Sequence, residues 1–437
     1  MVAPLKVGLA GLGTVGASVV RLIERQRDVL SQRCGRPIEI VAVSARSRGK
    51  DRGLDMRKLR WVADPMTLAT DPAIDTFVEL MGGEGDPAHS SITAALKAGK
   101  SVVTANKALL ARHGVALAAL AEKHRVALNF EAAVCGGIPI IKTLREGLAG
   151  NAITRIYGIL NGTCNYILSK MEQEKLSFDA CLKEAQRLGY AEADPSFDIE
   201  GHDAAQKLSI LASLAFGTRL DPKAIYVEGI TSIDTADLEW ADELGYRIKL
   251  LGVAVKTAKG IEQRVHPTMV RKDSPIAQVM GVTNAVTIDA DGIPPITLVG
   301  PGAGGMATAS SVVSDIADIA RGLRAPPFGR PTARLTASRK APMQRHEGVY
   351  YIRLLAKDKP GTAATIARRL AQQSISLESI VQRPLGPAGG SSEKRGPVPV
   401  ILVTYATSED AVRKALAAVK RDRVISGEPQ LIRIEKN

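Results

Sequence analysis

Residues 11–16, GLGTVG, constrain the fold of this chain more than any other stretch. They follow the short apolar run Leu5-Lys-Val-Gly-Leu-Ala10 and open a helical stretch reaching about Leu30. Strand, glycine turn and helix in that order form the phosphate-binding entry to a doubly wound sheet. Gly11, Gly13 and Gly16 let the backbone turn tightly and approach a pyrophosphate, whose charge sits at the helix N-terminus beside Thr14 and Val15. Further β-rich runs at 38–43, 76–80, 101–104 and 126–130, with a helical stretch at 89–98, continue the alternation. The pattern predicts an α/β, Rossmann-like nucleotide-binding domain over residues 1–133.

The end of the second strand indicates which dinucleotide. NAD sites usually carry an acid about 20 residues beyond the glycines. Here the counterpart runs Val41-Ala-Val-Ser-Ala-Arg46-Ser-Arg48-Gly-Lys50, with no acid between Glu39 and Asp51. Three cations suit a 2′-phosphate, so NADP is favoured, NAD remaining possible; a basic surface loop is the plainer alternative. Thr104-Ala-Asn-Lys107 ends another strand of the same sheet, where ligands of open α/β sheets bind. Lys107 is therefore expected near the nicotinamide, although alone it reads equally as a surface lysine.

Beyond about Ala133 the character changes to α+β. Helices are expected at 138–149, 163–174, 178–189 and 202–216, and strands at 153–160, 246–256, 261–270, 284–289 and 296–299. Residues 134–300 form this second domain, and a last helix from the Gly300-Pro-Gly-Ala-Gly-Gly305 turn to about Arg324 completes the first. Two turns here carry chemistry. Carbonyls of Glu131-Ala-Ala-Val-Cys-Gly-Gly-Ile-Pro139 could hold a hard monovalent cation, or simply join strand to helix. The amides and hydroxyl of Asn161-Gly-Thr-Cys-Asn165 could hold a carboxylate, or simply cap a helix. Then comes Gly189 to Lys207, which sets Glu192, Asp194, Asp198, Glu200 and Asp203 ahead of Lys207 and the apolar Leu208, Ile210, Leu211 and Leu214. Asp203 and Lys207 are four apart and share a helix face. The carboxylate can hold the ammonium where a substrate oxygen needs a proton; an exposed ion pair of little worth is the alternative.

Residues 325–346 are rich in Pro and Arg and read as a solvated linker, with six basic residues and no acid from Arg324 to Arg345. Residues 347–437 then give strand, helix, strand, strand, helix, strand, the ferredoxin-like βαββαβ order. The Gly/Ser/Pro-rich stretch from Pro384 to Pro397 joins its two central strands and is expected to be mobile.

Bulk properties narrow the class. A chain of 437 residues, 45% hydrophobic, suits two or three soluble domains. The formal charge of +13 comes without a nucleic-acid motif or interleaved aromatics, so anionic small molecules are the expected partners, not nucleic acid. No apolar run reaches membrane-span length and no signal-peptide layout precedes the first strand. Cys34, Cys135, Cys164 and Cys181 form no CxxC pair, and the six histidines show no HxxxH spacing. Reduced thiols, a cytoplasmic location and no transition-metal site are expected.

Together these motifs resemble homoserine dehydrogenase along almost the whole chain: GLGTVG, TANK at 104–107, EAAVCGGIP at 131–139, NGTCNYI at 161–167, GYAEADPSFDIEGHDAAQK at 189–207 and GPGAGGMATASSVVSD at 300–315. Residues from about 350 resemble an ACT domain, with Asp358-Lys-Pro-Gly361 as its effector loop. The resemblance implies reduction of L-aspartate 4-semialdehyde to L-homoserine with NAD(P)H, in threonine, methionine and isoleucine biosynthesis, with threonine as inhibitor. It implies Lys207 as proton donor, Lys107 as its partner and Asp203 as orienter. Glu192, Asp198, Gly162 and Thr163 would line the substrate pocket, with Glu192 and Asp198 on the substrate's ammonium or hydroxyl. Gly302 would touch the cofactor. Carbonyls of Val134, Gly136 and Ile138, beside Glu131, would hold sodium. Cys135 departs from the small residue of several relatives. The resemblance also implies a homodimer or homotetramer, and no aspartokinase part is expected ahead of the glycine turn. Two competing readings are a non-catalytic dinucleotide and amino-acid sensor, which has no use for paired lysines, and a dehydrogenase for a related amino aldehyde.

Overall fold

The computed structural model describes residues 2–338, 341, 346–382 and 396–435. The expected mobile loop falls almost wholly on 383–395, outside the described residues. The first six strands are β1 (Leu5–Ala10), β2 (Ile38–Ser44), β3 (Arg60–Trp61), β4 (Thr76–Glu79), β5 (Ser101–Thr104) and β6 (Leu128–Asn129). They form one sheet in the order β3-β2-β1-β4-β5-β6, parallel throughout. The order reverses beside β1, which puts the glycine turn at the crevice of a doubly wound sheet.

The expected helix 14–30 is two helices, Thr14–Arg25 and Arg27–Cys34, parted at Gln26. Helix Gly305–Ala320 returns to this sheet. Its Ala309, Val312, Val313, Ile316 and Ala320 recur at helical spacing and pack in one core with Leu5, Val7, Leu9, Val19, Ile23, Val43, Val78 and Val103. Each fully buried Val or Ile contributes roughly 1.5–3 kcal/mol, so this helix is an integral layer of the first domain.

The second sheet departs from the expectation of separate units. Its strands are β7 (Ile153–Ile159), β8 (Tyr226–Val227), β9 (Tyr246–Thr257), β10 (Gly260–Arg271), β11 (Thr283–Ala290), β12 (Ile296–Pro301), β13 (Glu347–Ala356), β14 (Leu377–Gln382), β15 (Val398–Thr404), β16 (Thr407–Ser408) and β17 (Ile425–Glu435). The path runs β12-β11-β7-β9-β10-β17-β13-β15-β14. The last four are the C-terminal βαββαβ unit, and β17 pairs parallel to β10 at Thr268–Arg433, Met269–Ile434 and Val270–Glu435. The C-terminal unit thus extends the middle domain's sheet. Arg264 on β10 donates to Glu435 at 2.8 Å, and Arg155 on β7 reaches the same carboxylate at 2.9 Å.

The linker reading is also corrected at its first half. Phe328 is fully buried and its ring stands 5.3 Å from that of Phe130. The amide of Thr332 donates to Glu122 at 3.0 Å and its hydroxyl at 2.6 Å. The two phenylalanines and the carboxylate clamp are tertiary partners that local composition does not reveal. Residues 339–340 and 342–345 lie outside the described residues. Among the described residues no helix is long and apolar enough to cross a membrane, and all four cysteines are free and buried.

Candidate active site

Three elements converge on Asp203. It lies on helix His202–Phe216, which also carries Lys207. Lys107 begins helix Lys107–His124 directly after β5, where Asn106 caps by accepting from the amide of Leu109. Asn161 caps helix Gly162–Glu174, accepting from the amide of Cys164 at 2.8 Å. Lys207 donates to Asp203 Oδ2 at 2.7 Å, and Lys107 Nζ sits 3.0 Å from Asp203 Oδ1. The side-chain amide of Asn161 spends its two hydrogens on Asp203 at 2.9 Å and Asp198 at 2.8 Å. Thr163 donates to the carbonyl of Tyr190 at 2.6 Å and reaches Asp198 at 3.5 Å.

The exposed-pair reading therefore fails at Asp203, which is only 4% exposed. Burial alone would raise its pKa, but Lys207, Lys107 and the hydrogen bonds from Lys207 and Asn161 outweigh it and hold the carboxyl well below the usual range. Burial pulls Lys207 down and the Asp203 charge pulls it up further, so its ammonium is held above the ordinary value. Asp198 is pushed up, first by burial and then by Asp203. An ammonium has three hydrogens. Leu160 O, at 2.7 Å, and Asp203 take two from Lys207 among the described residues, which leaves one for a ligand oxygen.

The expected residues do not all meet. Glu192 is exposed, and no hydrogen bond among the described residues joins its carboxylate to this cluster. Asp194 accepts from the amide and hydroxyl of Ser196 and is a local cap. Exposed Glu200 faces His202 at 3.4 Å. Gly162 lies under the carbonyl of Val282, which a side chain there would strike.

At the cofactor end, Gly11 has φ +99° and an added Cβ would lie 2.4 Å from the carbonyl of Leu80; at Gly16 it would lie 2.0 Å from the carbonyl of Gly11. No side chain fits either place. Gly13 caps the helix that Thr14 and Val15 begin. Gly305 lies against Thr14 and Ser18, so the turn holding Gly302 ends at the glycine loop. Arg46, Arg48 and Lys50 are exposed beyond the end of β2.

Sequence reasoning missed several supporting residues. Arg52 donates to the carbonyls of Leu12, Lys50 and Ser47 at 2.9, 2.7 and 2.6 Å, pinning the Arg46 loop to the glycine turn. Glu79 accepts from Met81, Gly82 and Thr104 at 2.6, 3.0 and 2.7 Å and joins the ends of β4 and β5. An acid closing the apolar run Thr76-Phe-Val-Glu was its available signal. Lys249 on β9 is fully buried, donates to Asn165 Oδ1 at 3.0 Å and Val279 O at 2.6 Å, and burial lowers its pKa to about 7. Nothing in the strand pattern sets it apart.

The proposed sodium turn offers oxygen donors of the right chemistry. The carbonyl of Gly136 accepts from Ser311 and that of Ile138 from the amide of Ile140. Each retains a second lone pair, which fits a hard monovalent cation. The Glu131 carboxylate beside them accepts from the amides of Ile141 and Lys142 at 2.7 and 2.9 Å, one hydrogen bond on each oxygen. Cys135 has φ +53°, a left-handed conformation that glycine adopts at less cost.

Comparison with known proteins decides the family. The homoserine dehydrogenase NAD-binding domain matches residues 11–131, the homoserine dehydrogenase catalytic family 139–317, and the ACT domain 350–421. A homoserine dehydrogenase of Neisseria gonorrhoeae is 44% identical, with 99% of both chains covered. The chain belongs to the homoserine dehydrogenase family. It is an NAD(P)-dependent oxidoreductase acting on a CH-OH group. The crystal structure of a homoserine dehydrogenase from Thiobacillus denitrificans superposes with a TM-score of 0.92 at 43% identity, covering 99% of this chain and 98% of that one. A hyperthermophilic archaeal homoserine dehydrogenase in complex with NADPH matches with a TM-score of 0.63 at 29% identity, covering 73% of this chain and 98% of its own.

Proposed function

We propose that this homoserine dehydrogenase reduces L-aspartate 4-semialdehyde to L-homoserine with NADPH, and that Lys207 donates the proton. The observation carrying the reading is the buried Lys107–Asp203–Lys207 cluster. The nicotinamide supplies hydride when bound. Lys207 meets the developing alkoxide with its remaining N–H and protonates it; Lys107 adds a second positive charge. Asp203 orients both ammoniums. Thr163, at the N-terminus capped by Asn161, and Asp198, held by the Asn161 amide, bind the polar end of the substrate. Glu192 is the further carboxylate assigned to the substrate's ammonium or hydroxyl. A sodium ion would be held by the carbonyls of Val134, Gly136 and Ile138 and would add fixed positive charge to that turn.

Arg46, Arg48 and Lys50 favour NADPH. Arg46→Ala is expected to raise KM for NADPH roughly tenfold or more, the worth of a charge-assisted contact, with little change for NADH. Steady-state rates with both cofactors check this, and equal losses for the two would remove Arg46 from phosphate recognition.

Threonine is the proposed effector, in a cleft of about 340 Å³ lined by Lys357, Asp358, Lys359, Thr362 and Gln382. The ACT domain supports an amino-acid ligand, and Asp358 offers a carboxylate for its ammonium. Asp358→Ala should raise the half-inhibiting threonine concentration about tenfold with basal activity kept. No threonine inhibition in the parent enzyme would refute the effector. A cytoplasmic homodimer or homotetramer in the threonine, methionine and isoleucine pathways completes the reading. One assay, NADPH or NADH consumption with aspartate semialdehyde, with and without threonine, tests reaction, cofactor and regulation together.

A further inference from the structure

The C-terminal domain reaches the catalytic helix through one carboxylate. Glu228 follows the short strand β8 in the middle domain. It accepts from Arg433 on β17 at 2.6 Å, from Arg413 on helix Glu409–Arg421 at 3.2 Å, and from the hydroxyl of Tyr226. Both arginines also bind the buried Glu409, Arg433 at 2.9 and 2.7 Å and Arg413 at 2.8 Å. The amide of Glu228 donates to Val265 on β10 at 2.8 Å. Burial would raise the Glu228 carboxyl, but Arg433 and its hydrogen bonds overcome this and lower it.

The next two residues press on the active-site segment. Ile230 N–H donates to Ile199 O at 2.9 Å. Gly229 lies so close that an added Cβ would be 2.3 Å from Ile199 O and 2.6 Å from Glu200 Cα. On the other side, a Cβ at Gly201 would be 3.1 Å from the side chains of Val227 and Val265. Residues 227–230 are thus wedged between β10 and the turn 199–201. Asp198 precedes that turn, and the helix bearing Asp203 and Lys207 follows it.

We propose that Glu228 is a positioning residue: it fixes the 227–230 wedge to the C-terminal domain and so sets where Asp198 and Asp203 stand. The C-terminal domain then supports catalysis directly, with no effector bound. The inference rests on the assignment of the Asp203–Lys207 cluster to the reaction, so Lys207→Ala is measured in the same assay.

The test is steady-state homoserine oxidation by full-length Glu228→Gln, which keeps shape and one acceptor oxygen. Tyr226→Phe is the milder variant, removing the hydroxyl that donates to Glu228 and accepts from Arg413. A displaced catalytic group costs up to about 100-fold in rate. The expected result is a roughly tenfold fall in kcat/KM for homoserine in Glu228→Gln, a smaller fall in Tyr226→Phe, and a KM for NADP within about twofold of the parent. Parental kcat and homoserine KM in Glu228→Gln would overturn the proposal. So would a rise in KM for NADP as large as the loss in homoserine terms, since that marks general loosening. If Glu228→Gln is insoluble, Tyr226→Phe decides by the same criteria. An inactive Lys207→Ala beside a parental Glu228→Gln overturns only this inference; an active Lys207→Ala overturns the site assignment itself.

Discussion

Lys207→Ala is expected to slow homoserine oxidation by about 10²- to 10⁴-fold, the usual worth of a positioned general acid or base. Cofactor affinity should hardly change, because Lys207 binds Asp203 and Leu160 O rather than the glycine turn. Lys207→Arg should remain slow: a guanidinium keeps the charge but does not give up its proton near neutral pH. If arginine restores more than about a tenth of the rate, Lys207 acts by charge alone and the proton comes from elsewhere. The pH profile carries a second check. Asp203 is lowered, so its stabilisation is full above the ordinary carboxylate value and is lost only as pH falls through the lowered one. Lys207 is raised, so its share is full below the ordinary ammonium value and is lost as pH rises through the raised one. Between these limits the pair stays charged, and neither group should produce an inflection near neutral pH in thermal stability.

Removing residues from 347 onward is expected to yield an unstable, aggregating protein rather than an active, threonine-insensitive one. The cut strips β17 from β10 and takes Glu435 from Arg264, which among the described residues keeps only the Glu262 carboxylate, at 3.0 Å. The apolar faces that β13, β15 and β17 bury against the middle domain, among them Tyr351, Ile401, Val403 and Ile432, are also lost from its core, each worth roughly 1.5–3 kcal/mol out of a typical domain's roughly 5–15 kcal/mol. An opened inner strand is also a template for pairing between chains. Soluble expression and thermal unfolding of the truncated chain check this. A soluble, cooperatively folding product with parental kcat would refute it.

The first sheet was legible because its signals are local. A glycine turn between an apolar run and a helix needs no distant partner to be recognised. The middle helices and the βαββαβ order were legible for the same reason. Asp203 and Lys207 could be paired from their spacing alone. Asn161 as the bridge between Asp198 and Asp203 was not, since those partners lie 37 and 42 residues away. Arg52, Lys249 and Glu228 likewise act on groups far along the chain, and a composition reading gives them only surface or strand roles. The linker was misread because its proline and arginine content hid Phe328. Helix Thr235–Glu243 went unread although Asp234 and Asp237 form a capping box at its start.

The place of β17 has a consequence for how the protein is made. It stands between β10 and β13, yet it is the last described strand of the chain. Domains usually fold in the order of their synthesis, the N-terminal one first. Here the glycine-turn domain can close once its helix Gly305–Ala320 is made, whereas the Thr268–Val270 part of β10 waits for residues 425–435, because β8 pairs only Arg264 and Val265 on that side. Until those residues emerge, that stretch of an inner strand stays uncovered. An uncovered inner strand is a template for pairing with another chain.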